Sequence, residues 1–129
     1  GGMRFILRLL GNMLGIWVST LVISEITFDQ GATTQETLLL LTGIALVFTL
    51  VNSIVRPVMR VVAFPLYLLT FGLFALVTNA LVFLATGWLA EALTLPFHAG
   101  GFWAALGGGT ITAIISAIVV GVLGKAEKD

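Results

Sequence analysis

The sequence contains no cysteine and very few charged residues. Only 9% of its 129 residues are Asp, Glu, Lys or Arg, whereas 59% are hydrophobic. A soluble globular domain carries about 25% charged residues, so this chain has too few to cover a surface that faces water. We therefore expect a lipid bilayer to surround it. The lack of cysteine excludes disulfide bonds and thiolate metal sites.

Side chains that perform catalysis are equally scarce. The single histidine, His98, lies in a predicted loop, and the long apolar segments contain no Asp, Glu, Lys or His in their interior. No nucleophile–base pair or metal-ligand cluster can be assembled from such a set, so we predict no enzymatic activity, no metal and no cofactor. The formal net charge of zero and the lack of a basic tail argue against nucleic acid as a partner, and no soluble substrate is evident.

Four apolar segments are each long enough to cross a bilayer, which takes about 20 residues in a helix. They predict a single all-α membrane domain made of two helical hairpins, with Gly1-Gly2 interpreted as an expression remnant. The predicted spans cover residues 4–24, 35–55, 66–90 and 102–124, and the outer loops cover residues 25–34 and 91–101. A cleaved signal peptide is the alternative for the first segment, but no Ala-x-Ala site follows it.

The two outer loops contain local structural signals. Thr33 and Glu36 have the spacing of a capping box, which predicts that the second helix begins near Thr34. Each loop also contains a short stretch of strand-like composition, at residues 25–28 and 91–95. The two halves of the chain are therefore predicted to share one layout, in which an outer loop joins two helices.

The stretch between the second and third spans is the least regular part of the chain. Arg56-Pro57 is predicted to end the second helix at Val55, because the residue before a proline is pushed out of the helical region. Segment 56–65 is then too short to span, so we predict a short helix that lies at the cytoplasmic interface or dips into the membrane as a re-entrant segment. The predicted backbone breaks are Pro57, Pro65 and Gly72.

All six basic residues fall on one side of this topology. The basic set is Arg4, Arg8, Arg56, Arg60, Lys125 and Lys128, and the acidic set in the outer loops is Glu25, Asp29, Glu36 and Glu91. The outer loops contain no Lys or Arg. By the positive-inside rule, this distribution predicts that both termini are cytoplasmic.

Four arginines are candidates for contact with lipid or another anion, namely Arg4, Arg8, Arg56 and Arg60. Guanidinium groups near the end of a span reach lipid phosphates and fix the depth of the segment, and this anchoring is the interpretation that we prefer. The alternative is that these side chains gather into a binding site for an anion or an anionic lipid headgroup.

The fourth predicted span carries a small residue at every fourth position. The series is Gly101, Ala105, Gly109, Ala113, Ala117 and Gly121, and the first span adds Gly11 and Gly15. Such spacing lets helix backbones approach closely in a membrane, where dispersion contacts drive association. We favour packing within one subunit, and the alternative is a face for homo-oligomerisation or for lining a path.

Asn79 is the polar residue predicted to lie deepest in the membrane, near the middle of the third span. A polar side chain in hydrocarbon is costly unless it finds a partner. We therefore expect a hydrogen bond from Asn79 to Thr112 or Ser116 on the fourth span.

Three further polar residues are expected nearer the cytoplasmic end of the spans. Asn12 and Asn52 are predicted to meet each other or to satisfy the interrupted backbone around Pro57. Irregular backbone at membrane depth is tolerated only against protein or water, so Thr70 is expected to bond free carbonyl groups in the same region. Together with the Asn79 group, these residues form a predicted intramembrane polar network.

Several motifs follow one another in an order that resembles a known family. They are Val51-Asn52-x-x-x-Arg56-Pro57, Phe64-Pro65-Leu66-x-x-Leu69-Thr70-x-Gly72-Leu73-Phe74, Val77-x-Asn79-Ala80-Leu81 and Gly101-Phe102-Trp103-Ala104-Ala105-Leu106. Over residues 4–124 the chain resembles the small bacterial membrane proteins of the mycobacterial-type four-transmembrane phage holin family, superfamily four. The second loop departs from that pattern, since it reads Leu95-Pro96-Phe97-His98 in place of Pro-Gly-Phe.

The resemblance implies a bacterial inner-membrane protein and brings no established catalytic or ligand-binding residue with it. Holins perforate the cytoplasmic membrane so that phage lysis enzymes can pass, although many members of this family are chromosomal proteins without a phage context. The residues that match the family pattern are Asn52, Arg56, Pro57, Pro65, Gly72 and Asn79.

Two functions are consistent with these observations. The first is a holin-like or channel-like protein that self-associates through its small-residue faces and forms a pore. The alternative is a non-conducting envelope or stress-associated protein that acts through anionic lipids or partner proteins at the cytoplasmic interface. A small-solute carrier or multidrug-type exporter is disfavoured, because the predicted spans lack an ionisable group in their interior.

Overall fold

The computed structural model describes residues 2–31 and 33–128, with side chains described as far as Lys125. Within these residues the elements are α1 (Gly2–Val22), β1 (Thr27–Phe28), α2 (Thr34–Val62), α3 (Phe64–Leu69), α4 (Ala75–Ala92), β2 (Phe97–His98) and α5 (Phe102–Lys128). Four of these helices, α1, α2, α4 and α5, are long and apolar enough to cross a membrane. The predicted four-span helical fold with a short helix between spans two and three is confirmed.

The four long helices pack side by side as a ring. The contacts of α1 with α5 are the most extensive, and α5 in turn packs on α4, α4 on α2, and α2 on α1. Phe83 lies fully buried at the centre, where its ring meets Phe48 and Phe97 edge-on at centroid distances of 6.1 and 5.5 Å. Side chains therefore fill the interior of the bundle at this level, and many large apolar side chains face outward.

Glycines bring α1 and α5 into backbone contact. A Cβ atom added to Gly11 would lie 2.8 Å from the Cα atom of Ser116, and one added to Gly15 would lie 2.6 Å from the Cα atom of Thr112. Ser19 contributes to the same seam, because its hydroxyl lies within hydrogen-bond distance of the Gly108 carbonyl oxygen on α5, at 3.2 Å, as well as of the Gly15 carbonyl oxygen on its own helix. Gly11 and Gly15 thus serve packing inside one subunit, as the small-residue spacing indicated.

The predicted start of α2 and half of its capping box are present. Thr33 Oγ1 accepts a hydrogen bond from the backbone N–H of Glu36 at 3.1 Å, and the helix begins at Thr34. This cap satisfies one of the backbone donors that every helix leaves free at its first turn.

The prediction that α2 ends at Arg56-Pro57 is wrong. The helix continues through Pro57 to Val62, although the proline has no N–H to donate and a mid-helix proline ordinarily interrupts the helix. Side-chain bonds hold the preceding turn, since Ser53 Oγ donates to the Thr49 carbonyl at 2.8 Å and Arg56 Nε donates to Asn52 Oδ1 at 3.0 Å. The pre-proline preference is a bias, and α2 is continuous here in spite of it.

The short helix therefore lies later in the chain than the predicted segment 56–65. Pro65 occupies the first turn of α3, where its missing N–H has no cost, and the joint with α2 is at Ala63. None of the α3 side chains is buried in the bundle.

The chain breaks again between α3 and α4, as predicted at Gly72. Phe71 and Gly72 both have positive φ angles, 55° and 87°, and the Gly72 N–H donates to the Tyr67 carbonyl, which closes a Schellman turn. Thr70 caps this turn locally, since its hydroxyl accepts from Phe74 N–H and donates to the Leu66 carbonyl. Thr70 thus bonds backbone carbonyl groups of α3, and the carbonyls around Pro57 are not among its described partners.

A two-stranded bridge joins the outer loops. β1 and β2 are antiparallel, with Thr27 opposite His98 and Phe28 opposite Phe97. The second strand does not form at residues 91–95 as its composition suggested, because α4 extends to Ala92 and ends in a turn with Thr94 at φ 59°. We call this the acidic end of the bundle, with Glu25, Asp29, Glu36 and Glu91, and the opposite end the basic end, with Arg4, Arg8, Arg56, Arg60 and Lys125.

Candidate functional site

A chain of hydrogen bonds at the basic end centres on Arg56. Its Nε donates to Asn52 Oδ1 on the same helix, and its Nη2 donates to Asn79 Oδ1 on α4 at 2.6 Å. The other amide atom of Asn79, Nδ2, lies 3.5 Å from Thr110 Oγ1 on α5. Arg56 is half-buried. Its guanidinium is directed between the helices, whereas simple anchoring predicted a side chain extended to the lipid phosphates.

Asn79 does not have the partners that we predicted. α4 begins at Ala75, so Asn79 lies in its second turn, close to the basic end, instead of at the middle of the span. The expected partners on α5 are engaged elsewhere. Thr112 donates to the Gly108 carbonyl at 2.8 Å, and Ser116 packs against Gly11. The late start of α4 explains the difference.

A cavity of about 290 Å³ opens beside Arg56 at the basic end. It lies between α1, α2 and α5, and its lining residues are Arg8, Asn12, Phe48, Asn52, Arg56, Ala113, Ser116, Ala117 and Val120. Two of these nine residues are arginines and none is an aspartate or glutamate. We call this space the first basic cavity.

Two nearly buried polar side chains form part of the wall of this cavity. Asn12 is 2% exposed, and its Nδ2 donates to Thr49 Oγ1 at 2.8 Å, so the predicted pairing of Asn12 with Asn52 is wrong although both line the cavity. Ser116 is 8% exposed, and its hydroxyl makes no hydrogen bond with the described part of the chain. In the described part of the chain, every polar side-chain atom that is fully buried has a hydrogen-bond partner. The Ser116 hydroxyl has none, so it is not fully buried, and the cavity is the space that Ser116 lines.

The composition of the first basic cavity suits an anion. Guanidinium groups donate several hydrogen bonds in a fixed planar arrangement that matches phosphate and carboxylate. Arg8 and Arg56 supply two such groups, while Ser116 supplies a free hydroxyl. Among the described residues no cluster of three His, Cys, Asp or Glu side chains could hold a metal ion.

The other two candidate arginines lie outside this cavity. Arg60 is exposed near the end of α2. Arg4 lines a second cavity of about 200 Å³ together with Val120, Gly121, Gly124 and Lys125. The four arginines therefore do not form one cluster.

The small-residue series on α5 divides into two parts. Ala105 and Gly109 are buried, and a Cβ atom at Gly109 would overlap the backbone carbonyl of Asn79 on α4. Ala117 and Gly121 are exposed, and nothing lies within 4 Å of a Cβ atom added at Gly121. Only the part nearer the acidic end is used for packing within the subunit.

The remaining two members of the series are the first residue, Gly101, and Ala113, which lies between the two parts. Gly101 is exposed at the start of α5, where its N–H lies 3.4 Å from Glu25 Oε1. Ala113 is half-buried and lines the first basic cavity.

Sequence reasoning missed three polar residues that complete these contacts. Thr49 and Thr110 are the hydroxyl partners of Asn12 and Asn79, and the Tyr67 hydroxyl on α3 bonds the buried Thr78 on α4. A threonine also bonds its own helix backbone, as Thr49 does with the Ala45 carbonyl. Its presence in an apolar span therefore gives little sign of a partner on another helix.

Comparison with known proteins places the chain in a family. The family described as mycobacterial four-transmembrane phage holin, superfamily IV, matches residues 3–118. An uncharacterised protein of Streptomyces coelicolor is 45% identical over 113 residues, which cover 88% of this chain and 90% of that protein. No solved structure matches the chain significantly. With its four apolar helices, the chain is a multi-pass membrane protein that belongs to the four-transmembrane phage holin family, superfamily IV.

Proposed function

We propose that this protein is a non-enzymatic membrane protein that binds the headgroup of an anionic lipid in the first basic cavity. One observation carries the proposal: Arg8 and Arg56 line the same cavity with an unpartnered Ser116 hydroxyl and without a carboxylate. A phosphate in this space would accept hydrogen bonds from all three side chains. Charge-assisted hydrogen bonds of this kind contribute about 1.5–3 kcal/mol each.

The position of Arg56 supports a bound anion. Arg56 lies near the basic end of a membrane-spanning helix, and the described protein atoms that accept its hydrogen bonds are neutral amide oxygens of Asn52 and Asn79. A charged side chain in a span is costly and generally pairs with another group. An anionic headgroup would supply the negative charge that the lining residues of the cavity lack.

Lipid fits the cavity better than a soluble anion does. The cavity opens at the basic end between helices whose outward faces are apolar, and exposed Ala117 lies on its rim. A ligand that joins a phosphate to acyl chains would place the phosphate among the arginines and the chains along α5. Basic pockets between transmembrane helices bind lipid headgroups in this way.

The orientation completes the proposal. Five basic residues whose side chains are described lie at the basic end, while four acidic residues lie in the loops and helix ends at the acidic end. By the positive-inside rule the basic end faces the cytoplasm of the bacterium, and both chain termini lie on that side of the inner membrane. The sixth basic residue, Lys128, has a side chain outside the described set.

Lipid-dependent thermal stabilisation of the purified protein tests this proposal. Phosphatidylglycerol should raise the unfolding temperature in a neutral detergent more than phosphatidylcholine with the same acyl chains does, because the lipid that binds the folded state more tightly stabilises it more. Arg8→Gln should remove most of this difference, since it deletes one cavity charge without breaking a described hydrogen bond. The matched control is Arg60→Gln, which removes an exposed arginine outside the cavity. Equal stabilisation of the two variants by phosphatidylglycerol would overturn the proposal.

A pore between copies of the chain is the second candidate function. Family membership and the exposed Ala117 and Gly121 on α5 support it, because small residues on an open helix face permit close helix contact. The interior of one bundle is filled by Phe83 and its neighbours, so a conducting path would have to run between subunits. Leakage of a small dye from liposomes should then rise steeply with protein density, and tight liposomes at high density would exclude the pore.

A further inference from the structure

A second cavity lies next to the first at the basic end. Its lining residues are Arg4, Val120, Gly121, Gly124 and Lys125. Val120 also lines the first basic cavity, so the two spaces are neighbours on either side of one side chain. We call this space the second basic cavity.

The two cavities repeat the same chemistry. Each contains two cationic side chains, Arg8 and Arg56 in the first and Arg4 and Lys125 in the second. Among the side chains that the structure describes, neither lining includes an aspartate or glutamate, and those of Glu127 and Asp129 lie outside the described set. Arg4 and Arg8 are four residues apart on α1, which is about 6 Å along a helix axis. One cation of each pair therefore lies on α1, and these two positions are one helical turn apart.

We propose that the paired cavities bind a phospholipid whose headgroup carries two phosphodiester groups, with one phosphate in each cavity. This inference rests on the proposed lipid-binding function and names the lipid class. A three-carbon bridge between two phosphates spans a distance of the order of one helical turn. A lipid with a single phosphate fills one cavity and leaves the other cation pair without a counter-charge.

The floor of the second basic cavity is open because of glycine. Nothing lies within 4 Å of a Cβ atom added at Gly121, and the nearest atom to one added at Gly124 is a side-chain carbon of Leu7 at 3.7 Å. A large side chain at position 121 would therefore occupy the second cavity without displacing a neighbouring helix. Gly121→Leu blocks this space sterically and leaves the first basic cavity intact.

The apparent dissociation constants of cardiolipin and phosphatidylglycerol, measured by native mass spectrometry of the protein in neutral detergent, test the inference. Cardiolipin has two phosphodiesters and phosphatidylglycerol has one, and the comparison uses the same acyl chains and equal total phosphate. The wild-type chain should bind cardiolipin about tenfold more tightly, which corresponds to one additional charge-assisted contact. Gly121→Leu and the double variant Arg4→Gln/Lys125→Gln should each reduce this preference to about twofold or less.

Two controls separate the inference from the function on which it rests. Val122→Leu enlarges an exposed side chain beside Gly121 and should leave the preference unchanged. Arg8→Gln should weaken the binding of both lipids, because it acts on the first basic cavity.

The outcomes are distinct. Equal affinity of the wild-type chain for the two lipids, or a preference that survives in both variants of the second cavity, would overturn the two-phosphate inference while lipid binding stands. Failure of the wild-type chain to bind either lipid would overturn the proposed function as well. Full displacement of cardiolipin by soluble 1,3-propanediol bisphosphate would overturn the assignment of the ligand to lipid.

Discussion

The two ends of the helical bundle are built in opposite ways. At the acidic end, β1 pairs with β2, and the fully buried Phe97 packs on Phe83 beneath that bridge. At the basic end, α4 starts late and the helices part around a polar cavity lined by Arg8 and Arg56. Cavities of about 190 and 330 Å³ also lie at the acidic end, but their described lining residues include no arginine or lysine, whereas two arginines line the cavity of about 290 Å³ at the basic end.

This difference indicates where stability and binding reside. Buried aromatic contacts at the acidic end contribute to folding. The basic end contains an arginine that is bonded to neutral amides only, and a free Ser116 hydroxyl. We therefore expect substitutions at the acidic end to change stability and substitutions at the basic end to change lipid binding.

The largest expected effect is at the acidic end. Phe97→Ala removes a fully buried ring that contacts Phe83, and such truncations cost about 3–5 kcal/mol. The free energy of unfolding, measured by denaturant titration in mixed micelles, should fall by about 3 kcal/mol. Phe71→Ala is the matched control, because Phe71 is 97% exposed, and its value should match the wild type. A loss of equal size in both variants would contradict the account in which buried aromatic contacts stabilise the acidic end.

A smaller loss is expected at the seam that both ends share. Gly15→Val forces side-chain atoms against the Thr112 backbone on α5, and overpacking of this kind costs about 1–3 kcal/mol. The same denaturant titration should detect it. Gly121→Val is the matched control, because nothing lies within 4 Å of a Cβ atom added at Gly121 on α5, and its free energy of unfolding should equal that of the wild type within error. Destabilisation by Gly121→Val but not by Gly15→Val would contradict the close packing of α1 on α5 at Gly15.

At the basic end, Asn79→Leu should cost about 1–3 kcal/mol, because it leaves the Arg56 guanidinium without one of its acceptors. This variant also tests the account in a second way. If a bound anion shares the guanidinium, saturating phosphatidylglycerol should restore part of the lost thermal stability, whereas Phe97→Ala should show no such rescue. Absence of rescue in Asn79→Leu would indicate that Arg56 serves packing alone.

The smallest expected effect concerns α3. Tyr67→Phe deletes the hydroxyl that bonds Thr78, and hydrogen bonds between membrane helices contribute about 0.6 kcal/mol on average. Global stability should therefore hardly change. Local amide hydrogen exchange in residues 64–74 should increase, because this bond ties a helix with no buried side chain to α4. Unchanged exchange would show that the turn at Gly72 alone holds α3 in place.

Local signals in the sequence predicted the four spans and the capping box. The apolar segments and the Thr33–Glu36 spacing act over a few residues, so a single sequence reveals them. The end of α2 could not be predicted in the same way. Its path through Pro57 depends on side-chain contacts, one of which joins Arg56 to Asn79, 23 residues further along the chain.

The candidate site was predicted only in part. Arg8 and Arg56 were singled out by the charge distribution, but the cavity between them depends on which helices are neighbours in the ring. The spacing of apolar and small residues does not specify that order. The position of Asn79 relative to the cavity follows from the start of α4, and that of Ser116 follows from its contact with Gly11. The sequence alone predicts neither the start of α4 nor this contact.

Arg56 provides the most direct test of the account. Solid-state NMR can measure the dipolar coupling between lipid ³¹P and the guanidinium ¹⁵N of arginine in bilayers that contain phosphatidylglycerol, with Arg56→Lys used to assign the signal. Exposed arginines such as Arg60 contact phosphates in any account, whereas the half-buried Arg56 does so only if a headgroup enters the first basic cavity. We predict a clear ³¹P coupling at Arg56. This coupling should disappear in bilayers that contain no phosphatidylglycerol, and it should weaken in Arg8→Gln. Coupling confined to the exposed arginines would contradict the proposed site.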